Sequence, residues 1–105
     1  MDERTFGRSG QHASVVGLGT WQLGADWGDV DDKEALSVLE AAAESGVTFF
    51  DTADVYGDGR SEQTIATFLR SRPDLHVLVA TKMGRRVDQI PENYVLDNFR
   101  AWNDR

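Results

Sequence analysis

The apolar positions along this chain change period several times, and each change marks an element. From Arg4 to Thr20 the pattern is short and extended. Thr5-Phe6 is followed by a turn centred on Gly7-Arg8-Ser9-Gly10, then by Ala13-Ser14-Val15-Val16 running into Gly17-Leu18-Gly19-Thr20. This predicts a hairpin that feeds a first strand. A loop from Trp21 to Val30 leads to Asp31-Asp32-Lys33-Glu34, an acidic cap with a Glu three residues on. Between Lys33 and Glu44, Ala35, Leu36, Leu39, Ala42 and Ala43 recur at i, i+3, i+4 spacing on one helical face, and Gly46 stands where a left-handed stop belongs. Val47-Thr48-Phe49-Phe50 is then a nearly continuous apolar run ending at Asp51, the pattern of a strand covered on both faces and hence of parallel pairing.

The cycle then repeats. Ser61 to Arg70 carries Ile65, Phe68 and Leu69 on one helical face, Pro73 breaks it, and His76-Val77-Leu78-Val79-Ala80-Thr81 is a further apolar strand. Past Gly84 and Arg85-Arg86, Pro91 sits where a first helical position is expected, with Val95, Phe99 and Trp102 lining the helix that follows. Strand and helix alternating at this period predict an α/β fold with a parallel sheet and three β/α units. A (β/α)8 barrel takes about 250 residues and a doubly wound sheet can be smaller. Three units close no barrel and leave one sheet edge bare, so a longer protein or a partner chain is expected to cover it.

Composition narrows the chemistry. The 105 residues allow one domain at most; 40% are hydrophobic and 28% charged, with ten glycines and two prolines, as in a folded globular chain. A net charge of −7 repels nucleic-acid phosphates and anionic membranes. No apolar run reaches the ~18 residues of a bilayer span and no secretory signal opens the chain, so a cytoplasmic location is expected. The absence of cysteine removes disulfides, zinc-thiolate sites and a Cys nucleophile. His12 and His76 have no second nitrogen ligand at i+3 or i+4, so no metal site is expected.

The candidate chemistry lies at strand ends. Asp51 and Lys82 each fall at the C-terminal tip of an apolar strand, the side on which parallel α/β folds build active sites. A desolvated lysine needs a partner, and an Asp on the neighbouring strand supplies one. A structural ion pair that orders the strand ends is the competing reading of these two residues. Tyr56 follows Asp51 by five positions, on the loop to the next helix, so its hydroxyl can return over the tips. A free phenol has a pKa of ~10, and a cation within roughly 4–6 Å favours the phenolate. Lys82 would thereby tune Tyr56 as a general acid.

Gly17-Leu18-Gly19-Thr20-Trp21, then Asp51-Thr52-Ala53 with Tyr56-Gly57, then Thr81-Lys82, resemble the successive strand motifs of the aldo-keto reductase superfamily. The resemblance covers nearly the whole chain, bottom hairpin included. It implies an N-terminal hairpin plus the first three β/α units of a (β/α)8 TIM barrel, incomplete as given, with residues 1–105 forming a partial oxidoreductase domain. It implies reduction of an aldehyde or ketone, a small-molecule carbonyl substrate, by NADPH. Asp51, Tyr56 and Lys82 take three places of a catalytic Asp, Tyr, Lys, His tetrad, with Tyr56 as proton donor. Gly19, Thr20, Trp21 and Asp51 are implied as cofactor contacts. The family histidine belongs to a fourth strand beyond this sequence; His12, in the hairpin, and His76, at the start of its strand, are expected at the opposite end. A truncated or regulatory non-catalytic member that binds a partner chain is the alternative.

Other motifs fail on particular residues. Gly17-Leu18-Gly19-Thr20-Trp21-Gln22 has Gln22 in place of the third glycine of a dinucleotide fingerprint, and Gly19 to Gly24 is followed by Ala25-Asp26 rather than the Lys and Ser/Thr of a P-loop. Asp54 to Gly59 has Tyr56 where a calcium loop needs an oxygen ligand. Trp21 and Trp27 can line an apolar substrate pocket or pack a loop against the rim. Trp102 reads as core and Arg85-Arg86 as a solvated loop.

Overall fold

The computed structural model describes residues 1–24 and 31–104. Strands β1 (Glu3–Thr5) and β2 (His12–Ser14) form the expected antiparallel hairpin, with Glu3 opposite Ser14 and Thr5 opposite His12. Gly7 and Gly10 both take positive φ in its turn. The hairpin is fastened to the start of the sheet by a reciprocal pair of bonds: the Ser14 amide donates to Thr48 Oγ1 and the Thr48 amide to Ser14 Oγ, both at 2.9 Å.

Strand β3 (Leu18–Gly19) leads into a single helical turn, α1 (Trp21–Gly24), where the sequence predicts only loop. Helix α2 (Asp32–Glu44) is capped by Asp31, whose Oδ1 accepts from the Glu34 amide at 2.7 Å. It stops as predicted. Gly46 adopts φ 89°, its amide donates to Ala43 O, and the Val47 amide donates to Ala42 O. These are the two bonds of a Schellman ending. Strand β4 (Phe49–Asp51), helix α3 (Arg60–Ser71), strand β5 (Leu78–Ala80) and helix α4 (Leu96–Asn103) complete the order.

The sheet is parallel in the order β3-β4-β5, and Gly19, Asp51 and Ala80 lie in one register row at its C-terminal end. Its helix-side core consists of Leu23, Ala35, Leu39, Val47, Phe50, Ile65 and Phe68. The Phe50 ring is fully buried, 6.2 Å from that of Phe68. The predicted α2 face is the buried one: Ala35 and Leu39 have no exposure, while Leu36, Ala42 and Ala43 flank them.

Among the described residues the helices cover one face of β4, leaving Phe49 and Asp51 half-buried and Val79 on β5 exposed. Expectations for the last unit need correction. Pro91 opens a separate 3-10 turn (Pro91–Asn93) rather than the last helix. Helix α4 begins at Leu96, with Val95 extended before it and exposed instead of lining the helix face. Phe99 and Trp102 join Tyr94 in a half-buried satellite cluster, with ring centroids 5.1–6.1 Å apart. Trp102 is therefore not part of the main core. Among the described residues no helix is long and apolar enough to cross a membrane.

Candidate active site at the strand tips

The parallel register brings Asp51 and Lys82 together. Lys82 lies two residues beyond Ala80, and its ammonium bridges both carboxylate oxygens of Asp51 at 2.9 and 3.0 Å while donating to the Thr52 carbonyl at 2.7 Å. All three donors are thus placed. The Asp51 hydrogen bond holds Lys82 above its ordinary range against the opposing effect of burial, with further support from the Asp51 charge and from the neighbouring Tyr56. Both side chains remain about half exposed, 51% and 43%, so the pair is open to a ligand rather than sealed in the core.

Tyr56 opens a 3-10 turn, Tyr56–Gly59, that carries the chain back over these tips, and the Lys82 ammonium lies 5.3 Å from its ring centroid. The turn needs left-handed backbone at Gly57 (φ 62°) and Asp58 (φ 54°). Gly57 has a second constraint. A Cβ there would lie 2.3 Å from the Gly24 carbonyl oxygen, and a Cβ on Gly24 would lie 2.4 Å from the Tyr56 carbonyl carbon. Helix α1 and the Tyr56 turn therefore cross backbone to backbone, a contact only two glycines permit. The isolated loop glycines of the sequence were the one signal for it.

Behind the ion pair runs a buried hydroxyl chain that pattern reading did not single out. Thr20 donates to the Asp51 carbonyl from both its amide (2.9 Å) and its hydroxyl (2.8 Å). Ser61 Oγ lies 2.8 Å from Thr20 Oγ1 and 2.7 Å from Thr52 Oγ1. Ser61 shares the buried face of α3 with Thr64, Ile65 and Phe68, and a serine at an apolar-face position is a signal for a buried hydroxyl in need of partners.

The implied cofactor contacts divide. Gly19 has open space where a Cβ would stand, and Trp21 is 48% exposed. Thr20 is fully buried, its hydroxyl engaged by Asp51 and Ser61. Trp27 lies outside the described residues. His12 and His76 both line a cleft of about 670 Å³ with Thr48, at the N-terminal end of the sheet. A second cleft, about 490 Å³, adjoins the site and is lined by Lys82, Thr81, Glu62, Asp54, Arg86 and Trp102 among others. Arg86 is exposed, as expected of a solvated loop, yet it also binds Asp54 and Asp58 on the Tyr56 loop. Among the described residues no group of three or more His, Asp or Glu is arranged to hold a metal ion.

A parallel α/β sheet with Asp, Lys and Tyr gathered at the C-terminal tips of neighbouring strands defines a class of protein that places its chemistry there. Residues 15–105 match the model of the aldo/keto reductase family, and the chain belongs to that family. It is 38% identical over 84 residues to pyridoxal 4-dehydrogenase of Microbacterium luteolum, covering 80% of this chain and 24% of the relative. It is 38% identical over 78 residues to D-threo-aldose 1-dehydrogenase of a Pseudomonas species, covering 74% and 24%. Among solved structures, an aldo-keto reductase of Bacillus halodurans in its holo form superposes with a TM-score of 0.71 at 33% identity, covering 88% of this chain and 29% of that one. The chain thus spans about a quarter of the length of these curated relatives.

Proposed function

We propose that these residues supply one side of the active site of an NADPH-dependent carbonyl reductase whose whole domain closes as a (β/α)8 barrel. The reaction is reduction of an aldehyde or ketone to the alcohol. The observation that carries this reading is the Lys82 ammonium, bound by Asp51 and set beneath the Tyr56 ring. Members of the family are oxidoreductases that use a nicotinamide cofactor. When bound, that group supplies the hydride for the carbonyl carbon.

The chain's own residues handle the proton. Tyr56 gives its hydroxyl proton to the carbonyl oxygen as negative charge develops there. Lys82, held cationic by Asp51, stabilises the phenolate left behind, and proximity of that charge makes the proton easier to release. Asp51 fixes the ammonium between itself and the Thr52 carbonyl, leaving it no freedom to turn away.

The residues present fit the nicotinamide end of the cofactor. The open surface at Gly19, the exposed Trp21 face and the half-exposed Asp51 carboxylate offer a flat, partly polar bed, while buried Thr20 supports Asp51 from behind. Grip on the pyrophosphate and adenosine falls to later loops of a full barrel. A small carbonyl compound with an apolar body suits the aromatic Trp21 wall. The acidic composition disfavours nucleic-acid partners.

The test is NADPH oxidation by the full-length gene product with an aromatic aldehyde. Tyr56→Phe is expected to lower kcat by about 10²-fold or more while cofactor binding persists. Turnover that survives Tyr56→Phe, or tight cofactor binding with no turnover, would remove the proton-donor role.

A further inference from the structure

Arg86 closes over the loop that carries Tyr56. Its Nη1 donates to Asp58 Oδ1 at 2.5 Å, its Nη2 donates to the Asp54 carbonyl at 2.6 Å, and its Nε lies 3.5 Å from Asp54 Oδ2. The two anchors stand two residues before and two residues after Tyr56. A planar guanidinium can grip both at once, which a lysine ammonium cannot do with the same geometry. The guanidinium comes from the loop after β5, the anchors from the loop after β4, so one side chain joins the two strands that carry Lys82 and Asp51.

The three bonds are unequal. The Asp58 side chain is 86% exposed, so water and salt screen its bond to Arg86 and that bond alone holds little. The Asp54 side chain is only 22% exposed and its carbonyl is engaged directly, so the grip on Asp54 is the stronger one. Without Arg86 the turn keeps Tyr56 N to Ala53 O, Asp58 N to Val55 O and the cross-strand Asp54 N to Lys82 O, each 3.2 Å, together with the Arg60 amide bonded back to the Tyr56 and Gly57 carbonyls. The first three sit at the long end of the hydrogen-bond range. The turn also rests on the Gly24 backbone at Gly57, while Arg86 restrains it through Asp54 and Asp58, which the glycine crossing does not touch. Asp58, the sole non-glycine with positive φ among the described residues, is kept left-handed with its carboxylate turned toward the guanidinium.

We propose that Arg86 is a positioning residue that locks the Tyr56 turn over the Lys82 ammonium, clamping it at Asp54 and Asp58 while Gly24 backs it at Gly57. The inference rests on the reading of Tyr56 as proton donor, and its test separates the two. In the full-length protein, hydrogen exchange at the Tyr56 and Asp58 amides is expected to quicken about tenfold in Arg86→Ala, with Thr52, whose amide is held by Ala80 O at 2.8 Å, unchanged. In turnover, Arg86→Ala is expected to lose about tenfold to a hundredfold in kcat with KM for cofactor and carbonyl within about twofold, because the reacting geometry slips while the binding surfaces stay. Added guanidinium ion should restore part of that kcat. Arg86→Lys keeps the charge and the stem, folds where alanine fails to, and should show a smaller loss in both readouts; Asp58→Asn should show the least. Unchanged exchange at Tyr56 together with unchanged kcat in Arg86→Ala and Arg86→Lys overturns the proposal. Faster exchange in Arg86→Ala, alongside a Tyr56→Phe variant as active as the parent, keeps the clamp and removes the proton-donor reading instead.

Discussion

Replacing Gly57 by alanine sets a methyl group inside the backbone of α1. The new Cβ would lie 2.3 Å from the Gly24 oxygen, 2.6 Å from its Cα and 2.8 Å from its carbonyl carbon, all main-chain atoms that no rotamer change can move. Relief requires the turn to shift, at the ~1–3 kcal/mol typical of overpacking. Left-handed φ at position 57 adds ~1–2 kcal/mol for a residue with a Cβ. The expected loss is therefore about 2–5 kcal/mol, a large part of the ~5–15 kcal/mol that holds an ordinary domain together. Tyr56 is attached to the displaced segment, and a shift of ~1 Å at a catalytic group can cost about 10²-fold in rate.

Two companion variants divide the effect. Gly24→Ala places a Cβ 2.4 Å from the Tyr56 carbonyl without positive φ, so it carries only the clash, ~1–3 kcal/mol. Gly7→Ala, at φ 55° in the hairpin turn with nothing within 4 Å, carries only the backbone cost, ~1–2 kcal/mol, and should leave kcat unchanged. Urea unfolding midpoints, compared at constant m-value, give the stabilities, and NADPH oxidation gives the rates. A Gly57→Ala protein destabilised no more than Gly7→Ala, with kcat within about twofold of the parent, would mean that the two backbones do not cross as described.

Two further outcomes follow from the same geometry. Phe50→Ala removes a fully buried ring packed on Phe68 and should cost about 3–5 kcal/mol in the same urea series; a loss under ~1 kcal/mol would mean that the helix layer is not packed on β4 as described. Lys82 has a folded-state pKa raised above 10.5, so the stability it contributes is fully present below the ordinary lysine value and disappears as pH rises through the raised one. Its ammonium should titrate above 10.5 by NMR and fall back toward that value in Asp51→Asn; titration at or below 10.5 in the parent protein contradicts the pairing.

Local patterns in the sequence determine most of the elements, because each rests on short-range physics. The Asp31 cap, the 3.6-residue spacing of Ala35, Leu39 and Ala42, and the Gly46 ending act within a turn or two of helix, so they are readable without the rest of the molecule. The apolar run ending at Asp51 likewise identifies a strand and its charged tip. Pro91 misleads at this level, since its fixed φ suits a 3-10 turn as well as a first helical position. The motif order around Asp51, Tyr56 and Lys82 pointed to the family that residues 15–105 match.

Only the tertiary structure decided what stands beside the site. The Gly24 and Gly57 crossing joins residues from separate loops, and the Thr20, Ser61 and Thr52 chain joins two strand ends to a helix. Arg86 carries no local signal at all: in sequence it is one of two adjacent arginines, and its grip on Asp54 and Asp58 exists because a parallel register sets the loops after β4 and β5 side by side. Local chemistry named the candidate groups, and the register of the sheet set what holds them in place.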